Sequence, residues 1–538
     1  MKSIYYIVIA LSALFLYGCT DSEETSFFPD TSVSYEPYIN DTHNENEENF
    51  TETSAPKITS PEYGGTLKMS MRIPQTLNPL VNEDITVDKV LKIIFEPLFK
   101  KDTSGKVVSN IAESYAFAND VLTIKIKSGL KWHDGTAITA KDVIFSLDTI
   151  KAQGDKCLYK DALKNISSYT ESGDTITIKL SSPYYYSIYN LCFPIIPASY
   201  YAGKTDLKSD VSMKPLGNGC FKFSSYRLAN ELILEKCEGI NGSPYIDKIS
   251  VITTDDRQTD LYAFEQAVTD VIQSDISEWG KYSAGKKINM TEYNTNNFEF
   301  LGYNFKKPLL AEISVRQAIS QAVPSDEITK NVYLNHGITS RIPINPNMWF
   351  YSEDAVSRQY SIKNAAGIIE KTGYTKDKLK LSILVNEENK SRCEAASIIA
   401  DKLNQIGFDV SVDKQPFDVY QNRLKSDNFD LFIGGVKLSN LGELKPFLSS
   451  QAMSSGINVC NYSSTQMDAL LAKTETAAGD DNFKSAYEEL QKFIDREIPC
   501  TGICFKYSAL LTSENVNGEK TPTIDNIYND IHKWYINQ

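Results

Sequence analysis

Residues 379–435, LKLSILVNEENKSRCEAASIIADKLNQIGFDVSVDKQPFDVYQNRLKSDNFDLFIGG, decide the fold class, because strand and helix patterns alternate along them. Runs rich in Val, Ile and Leu predict strands, and apolar residues at helical spacing predict helices. The predicted order is a strand at Leu379–Val385, a helix at Glu394–Ile406, a strand at Phe408–Val412, a short helix at Tyr420–Leu424 and a strand at Phe429–Ile433. This alternation is typical of βαβ units, so we predict a largely parallel sheet in an α/β domain.

Two glycines, Gly434 and Gly435, follow the third of these strands, which is apolar enough to be buried on both faces. Glycine lets another group approach the backbone closely, and open α/β sheets bind ligands at the carboxyl ends of their strands. The pair therefore marks a candidate binding position. A tight turn without a ligand is the alternative explanation.

The chain of 538 residues is too long for one ordinary domain, so we expect two or three lobes. Hydrophobic residues make up 41% and aromatic residues 11%, which is enough for a real core. The formal net charge is −14, and no basic cluster suggests a nucleic-acid partner.

The first residues, MKSIYYIVIALSALFLYGC, predict a signal peptide at 1–19. The apolar run Ile4–Tyr17 is too short for a comfortable membrane span. The ending Leu-Tyr-Gly-Cys resembles the bacterial lipobox, in which the cysteine, here Cys19, is diacylated and becomes the first residue of the mature lipoprotein. The alternatives are a plain secretory signal with an incidental cysteine and a membrane helix.

Residues 20–60 carry ten acidic residues and one basic residue, Lys57, among many Ser, Thr and Asn. This composition cannot bury enough apolar surface to fold, so we predict a flexible acidic tether. Together with a lipidated Cys19, the tether predicts an extracytoplasmic protein that is anchored to the cell membrane and held away from its anionic surface.

Eight further cysteines lie in a compartment where disulfides are permitted. Cys500 and Cys504 are too far apart along an extended chain to bond to each other. The segments CFKFSSY and ELILEKC predict a hairpin whose turn, Arg227–Asn230, places Cys220 opposite Cys237. Directly opposed residues lie within disulfide reach, so these two form a candidate bridge. Two buried free thiols are the alternative.

The segment Gly129–Thr139, GLKWHDGTAIT, contains His133 beside Asp134, which could in principle act as a base and the group that orients it. However, Asp134-Gly135 is also a strong turn signal. It stands between a predicted strand at Val121–Lys127 and a helix that begins after Thr139, with Asp142 near its positive end. We therefore predict a turn, packed down by Trp132.

The usual enzyme motifs are absent from the sequence. It contains no G-x-x-x-x-G-K-[ST], H-E-x-x-H, G-x-S-x-G or C-x-x-C. The four histidines lie far apart in sequence, at His43, His133, His336 and His532, which argues against a histidine-rich metal site. We predict a protein without catalytic activity, metal or cofactor.

The order of several motifs resembles the family 5 extracellular solute-binding proteins, the oligopeptide-, dipeptide- and nickel-binding group of ABC importers. The resemblance extends from about Gly64 to Trp534. The segments that carry it are GGTLKMSM, QTLNPL, IFEPLFKKDTSGKVVSNIAESY, LTIKIKSGLKWHDGTAITAKDVIFSL, PLGNGCFKFSSY, PYIDKI, NFEFLGYNF, VRQAISQAV, FDLFIGG and AYEELQKFIDREIP.

The resemblance implies a two-lobed, three-domain, periplasmic-binding-protein-like fold (type II, cluster C) with a hinge and an interlobe cleft. Domain I would comprise residues 61–84, 206–292 and 505–538. Domain II would be the insertion 85–205, and domain III would be 293–504. Such lobes close over a ligand, and only a ligand that favours the closed state shifts the population toward it.

In peptide-binding members of the family the ligand lies extended and pairs with the main chain. An aspartate shortly after a Gly-Gly-Trp receives the peptide's amino group. This chain has Val436 where that tryptophan stands, and the aspartate position falls near Ser439 or Asn440. Glu443 is the first acid available. A buried ammonium needs a carboxylate, so either Glu443 takes this role or the ligand is not an ordinary peptide with a free amino terminus.

Further cleft residues follow from the same resemblance. Asn78 lies on the first loop, and Tyr303 and Asn304 lie on the strand that enters domain III. Trp349 and Tyr351, in the Pro-rich segment 343–351, could form an apolar wall, although Trp349 could equally anchor the core. Weaker candidates, for which a structural role is favoured or the signal is slight, are Arg316, Asn458 and Asn461.

The sequence thus favours the substrate-binding lipoprotein of an ABC importer, a monomer that captures peptides and delivers them to the permease subunits. The alternatives are a binder of a nickel chelate or another small solute, and a lipoprotein that senses a peptide without import. A secreted hydrolase that uses His133 and Asp134 is the least favoured hypothesis.

Overall fold

The computed structural model describes residues 61–204, 210–275, 288–439 and 442–537. The predicted signal peptide, Cys19, the tether and Asn440 lie outside these ranges. The strands, in chain order, are β1 Thr66–Arg72, β2 Phe99–Lys101, β3 Val107–Ser109, β4 Ala112–Ala118, β5 Val121–Ile126, β6 Ile166–Ser172, β7 Thr175–Leu180, β8 Phe221–Arg227, β9 Glu231–Lys236, β10 Lys248–Thr254, β11 Val271–Asp275, β12 Ile288–Tyr303, β13 Gly337–Thr339, β14 Lys380–Asn386, β15 Asp409–Gln415, β16 Leu431–Lys437, β17 Cys500–Ser513, β18 Val516–Gly518 and β19 Trp534–Ile536.

Helices cover or connect these strands. The α-helices are Ile85–Ile94, Ala140–Gln153, Ser187–Asn190, Ala198–Tyr201, Arg257–Glu265, Pro308–Ala311, Ile313–Ala322, Ser325–Asn331, Ile362–Thr372, Lys390–Gln405, Phe417–Lys425, Lys445–Leu448, Ala452–Ser455, Thr465–Thr476 and Asp480–Glu497. Short 3₁₀ helices are Gly154–Lys156, Lys160–Leu163, Asp210–Met213, Glu353–Ala355, Lys376–Leu379 and Ile531–Lys533. Within the described ranges, no helix is both long and apolar enough to cross a bilayer.

Three sheets of four or more strands form the framework of the described part of the fold. One has the strand order β1-β10-β9-β8, and another has the order β4-β5-β7-β6. The third follows the path β11-β17-β12-β16-β14-β15, with β13 pairing to β17. The strand predicted at Val121–Lys127 is β5, which lies beside β7 in the second sheet, where Val121 pairs with Lys179.

The stretch 379–435 forms the predicted strands and helices, but the sheet as a whole is not largely parallel. β14 is parallel to β15 and to β16. β12 is antiparallel to both β16 and β17. The prediction of a parallel sheet therefore holds for three adjacent strands only, because long antiparallel strands from outside the stretch complete the sheet.

Two element boundaries within this stretch differ from prediction. The helix begins at Lys390 rather than Glu394, because the Asn389 side chain accepts a hydrogen bond from the Arg392 backbone N–H and caps the helix there. β16 continues past the two glycines to Lys437. The strand therefore does not end at Gly435.

The hydrophobic core occupies both faces of the large sheet. One cluster extends from Leu67 to Ile536 and includes Phe432. A second cluster packs on the opposite face and includes Leu431 and Ile433. β16 is thus buried on both faces, as its apolar sequence predicted.

β12 and β17 run side by side across both predicted boundaries between domains I and III. Their antiparallel pairing extends from Ile288 opposite Ser513 to Gly302 opposite Cys500. The predicted boundaries at 292/293 and 504/505 fall within these two strands. Adjacent strands that pass between two lobes can form a hinge, although the domain limits themselves remain predictions.

The WHDG segment is a turn. Oδ1 of Asp134 accepts hydrogen bonds from the backbone N–H and the hydroxyl of Thr136, and Gly135 has a φ of 85°. Nε2 of His133 lies 2.9 Å from the carbonyl oxygen of Gly219. Burial lowers the pKa of His133, which keeps its ring uncharged. The segment connects β5 to the helix Ala140–Gln153, and its histidine is bonded to the backbone rather than to Asp134.

Cys220 lies opposite Cys237, as predicted, but no disulfide joins them. The backbone N–H of Cys237 donates to the Cys220 carbonyl at 2.9 Å, while both thiols are free. The Cys237 thiol donates instead to the Gly219 carbonyl at 3.3 Å. The turn of this hairpin is one residue shorter than predicted. A one-residue shift in strand register between Phe223 and Ser225 compensates for this difference, so the two cysteines still lie opposite each other.

Candidate functional site

A cavity lies where residues of all three predicted domains meet. Its volume is about 120 Å³, room for about four water molecules or one small side chain. Its walls come from the predicted domain II segments 92–101 and 158–194, from the C-terminal segment 523–529 and from Ser439. The lining includes Lys92, Phe95, Phe99, Lys100, Lys101, Tyr159, Tyr189, Phe193, Ser439, Thr523, Asp525 and Asn529.

A larger groove adjoins this cavity and shares Lys101, Thr523 and Asp525 with it. Its volume is about 410 Å³, within the range of about 300–1,000 Å³ typical of ligand sites. The remaining lining comes mainly from 102–105, from β12 and from the segment after β18; it includes Asp102, Gly105, Glu292, Asn294, Asn296, Met348, Tyr507, Lys520 and Thr521. Cavity and groove together are the candidate site.

A bulge in β12 contributes side chains to this groove. Asn294 pairs with Tyr507 and Phe298 with Phe505, so three residues of β12 oppose a single residue of β17. Bulges re-aim side chains and are frequent near binding sites. The bulged segment includes Asn296, which lines the groove and donates to the Ser439 carbonyl at 3.2 Å.

Ion pairs and a hydrogen bond to a backbone carbonyl hold the lysines of the cavity. Lys101 Nζ lies 2.9 Å from Asp525 Oδ2, and only 6% of its side chain is exposed. Lys92 Nζ donates to the Asp525 carbonyl at 2.7 Å, and Lys100 Nζ lies 2.7 Å from Glu96 Oε2. The cavity is therefore polar at one side without carrying a large excess of positive charge.

Among the residues predicted from the strand end, Ser439 lines the cavity and Glu443 lies just beyond it along the chain. The Glu443 carboxylate is mostly buried, and its Oε2 lies 3.2 Å from Lys164 Nζ. Burial raises the pKa of the nearby Tyr184 hydroxyl, and the Glu443 charge raises it further. Glu443 thus joins predicted domains II and III through an ion pair.

The glycine pair makes room for an ion pair of the protein rather than for the candidate cavity. A Cβ added at Gly435 would lie 2.1 Å from Arg392 Nη2 and 2.6 Å from Glu299 Oε1. A Cβ at Gly434 would lie 2.9 Å from the Phe432 ring. Val436, the next residue, is buried in the core and pairs with Phe298.

The ion pair behind Gly435 is fully buried. Arg392 donates from Nε and Nη2 to the two oxygens of Glu299, at 2.7 and 2.9 Å, and Lys506 Nζ lies 3.1 Å from Glu299 Oε1. Burial alone would raise the pKa of Glu299. The two cations outweigh burial and lower this pKa to about 2.

Tyr303 and Asn304 do not line the cavity or the groove. Tyr303 is fully buried, and its hydroxyl is 2.6 Å from that of Thr501. The Asn304 side chain donates to the carbonyls of Asp427 and Phe429 and so fixes the entry to β16. Both side chains are held by contacts within the protein, so a direct contact of either one with a ligand stays a prediction.

Asn78 is also buried, and it shapes the loop after β1. Its Oδ1 accepts from the Leu80 backbone N–H at 3.1 Å, and its backbone N–H donates to Thr76 Oγ1. The loop therefore folds on itself around Asn78, which lies outside the lining of both spaces.

Trp349 belongs to an aromatic cluster between predicted domains II and III. Its Nε1 donates to the Tyr189 hydroxyl at 3.0 Å, and its ring stacks on Phe483 with centroids 5.5 Å apart. The groove receives the neighbouring Met348 instead. Tyr351 is half-buried beside this cluster.

The weaker candidates have structural contacts. Arg316 is buried and donates to the carbonyls of Leu310, Ala311, Glu497 and Ile498. Asn458 and Asn461 bond within their own loop, and Asn461 Nδ2 also donates to Asp427 Oδ1 at 2.6 Å. These arginine and asparagine side chains thus hold backbone turns in place.

Sequence reasoning missed most of the groove. Lys101 lies on a three-residue strand, and Lys520, Thr523 and Asp525 lie in a segment without helical or strand periodicity. Only the run of charged and hydroxyl side chains after Gly518 could have drawn attention to that segment. Within the described ranges, no group of three or more His, Cys, Asp or Glu side chains could hold a metal ion.

Comparison with known proteins identifies the family of this chain. The family described as bacterial extracellular solute-binding proteins, family 5 Middle, matches residues 106–456. Oligopeptide-binding protein AppA of Bacillus subtilis is 24% identical over 509 residues, covering 88% of this chain and 92% of AppA. Nickel-binding protein NikA of Staphylococcus aureus is 24% identical over 439 residues, covering 80% and 87%.

Among solved structures, the ABC transporter substrate binding protein CtaP from Listeria monocytogenes superposes with a TM-score of 0.71 at 22% identity, covering 89% of this chain and all of CtaP. The fold is thus the two-lobed fold of periplasmic binding proteins. Since the family match also covers well over half of the sequence, the chain belongs to the family 5 bacterial extracellular solute-binding proteins.

Proposed function

We propose that this protein is the substrate-binding component of an ABC importer and that it captures peptides without catalysing a reaction. One observation carries the proposal: a cavity and a groove of about 410 Å³ meet at the junction of the three predicted domains, directly beside the end of β16. The printed names of AppA, an oligopeptide-binding protein, and of CtaP, a substrate-binding protein of an ABC transporter, support it.

The pairing of β16 suits an extended ligand. β14 pairs with β16 only at Leu431 and Phe432, whereas β12 pairs with β16 as far as Lys437. Among the described strands, the second half of β16 therefore has a partner on one side only. A peptide can add to such an edge through main-chain hydrogen bonds, while its side chains enter neighbouring pockets.

Glu443 is our candidate for the peptide's amino group. Its present partner, Lys164, has a side chain that is 47% exposed, whereas that of Glu443 is 10% exposed. A half-exposed lysine regains water when it leaves the ion pair, and the mostly buried Glu443 carboxylate then needs another cation. The ligand's ammonium would then replace the Lys164 ammonium on the same carboxylate.

The same proposal covers location and partners. A signal peptide at 1–19, a lipid on Cys19 and the acidic tether would place the binding body outside the cytoplasm, at the cell membrane. The closed, loaded monomer would then be delivered to the permease subunits. The family's description as extracellular solute-binding proteins supports the extracytoplasmic location.

A nickel chelate is the second candidate ligand. The similarity to NikA favours it, and so does Ser439, which stands where a carboxylate is expected for a peptide's amino group. Thermal unfolding of the full-length protein in detergent distinguishes the two candidates. We expect a peptide library to raise the melting temperature and nickel–histidine to leave it unchanged; the reverse result would overturn the peptide assignment.

Substitution of Glu443 tests the site itself. We expect Glu443→Gln to weaken binding of peptides with a free amino terminus and to leave amino-acetylated peptides unaffected. Glu113→Gln, which changes a half-exposed carboxylate paired with Lys125, is the matched control. Equal affinity of the wild type and Glu443→Gln for free-amino peptides would remove Glu443 from this role.

A further inference from the structure

Within the described ranges, each charged side chain of the groove except Lys520 has an ion-pair partner or a hydrogen bond to another side chain. Lys101 is held by Asp525 at 2.9 Å, and Glu292 lies 2.5 Å from His336 Nδ1. The Asp102 carboxylate accepts from the hydroxyl and backbone N–H of Ser104 and so belongs to its own turn. The exception is Lys520, which lines the same groove.

Lys520 has no carboxylate partner within 4.0 Å among the described residues. Its Nζ donates to the Val516 carbonyl at 2.8 Å and lies 6.0 Å from the centroid of the Trp534 ring. Both Val516 and Trp534 are fully buried. Burial lowers the pKa of Lys520 to about 8, as expected for an ammonium that is only partly exposed to water.

A poorly solvated ammonium without a counter-charge is energetically unfavourable, and an anion placed against it relieves that cost. The Asn294 amide lines the same groove and, among the described residues, donates only one long hydrogen bond, to the Thr103 carbonyl at 3.4 Å, so it can also donate to an anionic group. We propose that Lys520 anchors a carboxylate of the ligand, and specifically the C-terminal carboxylate of a bound peptide. The inference rests on the proposed function, because it assigns one end of the peptide to the groove.

The groove itself favours the C-terminus over an acidic side chain. A chain end needs a space that is open for the approach of the preceding backbone, and the groove joins the cavity beside Ser439 through Lys101, Thr523 and Asp525. An extended peptide that passes from the cavity into the groove would therefore end near Lys520. The two carboxylate sources share the same chemistry, and the experiment separates them.

The test measures binding of three tetrapeptide libraries to the full-length protein in detergent. One library has a free C-terminus, one is amidated, and one is amidated and enriched in Asp and Glu. We expect the free-acid library to bind about tenfold to a hundredfold more tightly than the amidated one, since a hydrogen bond to a charged group contributes about 1.5–3 kcal/mol. Lys520→Met should abolish this preference, and Lys520→Arg should largely keep it.

Stability distinguishes a lost anchor from a damaged fold. Because Lys520 lacks a carboxylate partner among the described residues, Lys520→Met should melt at or above the wild-type temperature at pH 7. The advantage of Lys520→Met should shrink as the pH rises from about 8 toward 10.5, because the folded wild type then loses the unfavourable charge. Lys125→Met, which removes an exposed lysine paired with Glu113, is the control for a changed net charge.

The three possible contrary results overturn different parts of the proposal. If free-acid and amidated libraries bind equally to the wild type, Lys520 is not the anchor, although the peptide-binding function stands. If the acid-enriched amidated library binds as tightly as the free-acid library and loses affinity in Lys520→Met, the carboxylate comes from a side chain and the C-terminal assignment is wrong. If none of the libraries binds, the proposed function fails together with this inference.

Discussion

Gly435 shows how a single residue can be important for the fold without touching a ligand. The Arg392–Glu299 ion pair occupies the space beside its Cα, and even one methyl group would lie 2.1 Å from Arg392 Nη2. From the sequence, the same glycine suggested close approach of a ligand. The inference of close approach was sound, but the approaching group is a side chain from another part of the chain.

Gly435→Ala should destabilise the protein by about 1–3 kcal/mol, because a methyl group must displace the buried Arg392 guanidinium, which donates two hydrogen bonds to Glu299. Gly367→Ala is the control, since no atom lies within 4 Å of the Cβ added there, in the helix Ile362–Thr372. It should stabilise by about 0.5–1 kcal/mol. Urea unfolding measures both, and equal effects of the two substitutions would contradict the explanation for Gly435.

Glu299→Gln should cost about 3–5 kcal/mol at pH 7, because it leaves Arg392 buried without its counter-charge. The folded-state pKa of Glu299, about 2, is below its ordinary value of 4.5. Its contribution is therefore complete above about pH 4.5 and is lost as the pH falls toward 2. Unfolding free energies of wild type and mutant should converge between pH 5 and about 2.5; a constant difference would rule out this charge pairing.

The secondary-structure elements could be predicted where their signals are local. The strand predicted at Val121–Lys127 is present as β5, and the helix after Thr139 begins as predicted, with the Asp142 carboxylate accepting from the Thr139 backbone N–H at 2.8 Å. The end of β16 could not be predicted, because its last residues are held by pairing with β12, more than a hundred residues earlier.

The thiol state of the β8–β9 hairpin can be tested directly. Both cysteines are free, and burial raises the pKa of the Cys237 thiol to about 11, which disfavours its reactive thiolate. Thiol titration of the denatured protein should give the same count with and without prior reduction. A count lower by two before reduction, with Cys220 and Cys237 recovered as one linked peptide, would contradict the structure here.

At the scale of the whole molecule, an aromatic cluster joins predicted domains II and III. Phe483 is fully buried and contacts the rings of Tyr185, Tyr189, Trp349 and Tyr487. The Tyr185 hydroxyl also donates to Asp480 at 2.9 Å. Tyr189 of this cluster also lines the cavity, so the cluster connects one wall of the cavity to predicted domain III.

Phe483→Ala should lower the stability by about 3–5 kcal/mol, because it opens a hole among the surrounding rings. It should also increase proteolysis between the predicted domains, which a purely local defect would not do. Phe117→Ala, at a half-buried ring on the edge of the same cluster, is the milder control. Equal proteolysis of the two variants would show that Phe483 does not join the domains.

The candidate site could be predicted only in part. Its position after β16 follows from the family resemblance, and Ser439 does line the cavity. The Glu443 carboxylate was predicted as well, but its ion pair with Lys164 was not, because the two residues are 279 positions apart, and Lys520 lies in a segment without periodicity. Such contacts depend on how the lobes pack, which local patterns do not encode.

The most direct test of the account is mass spectrometry of small molecules released when the purified full-length protein is denatured. Binding proteins with an enclosed site often retain their ligand through purification when dissociation is slow. We predict short peptides with free C-termini, depleted in Lys520→Met and present in Lys125→Met. Release of a nickel chelate or another non-peptide solute, with no peptides, would contradict the central claim.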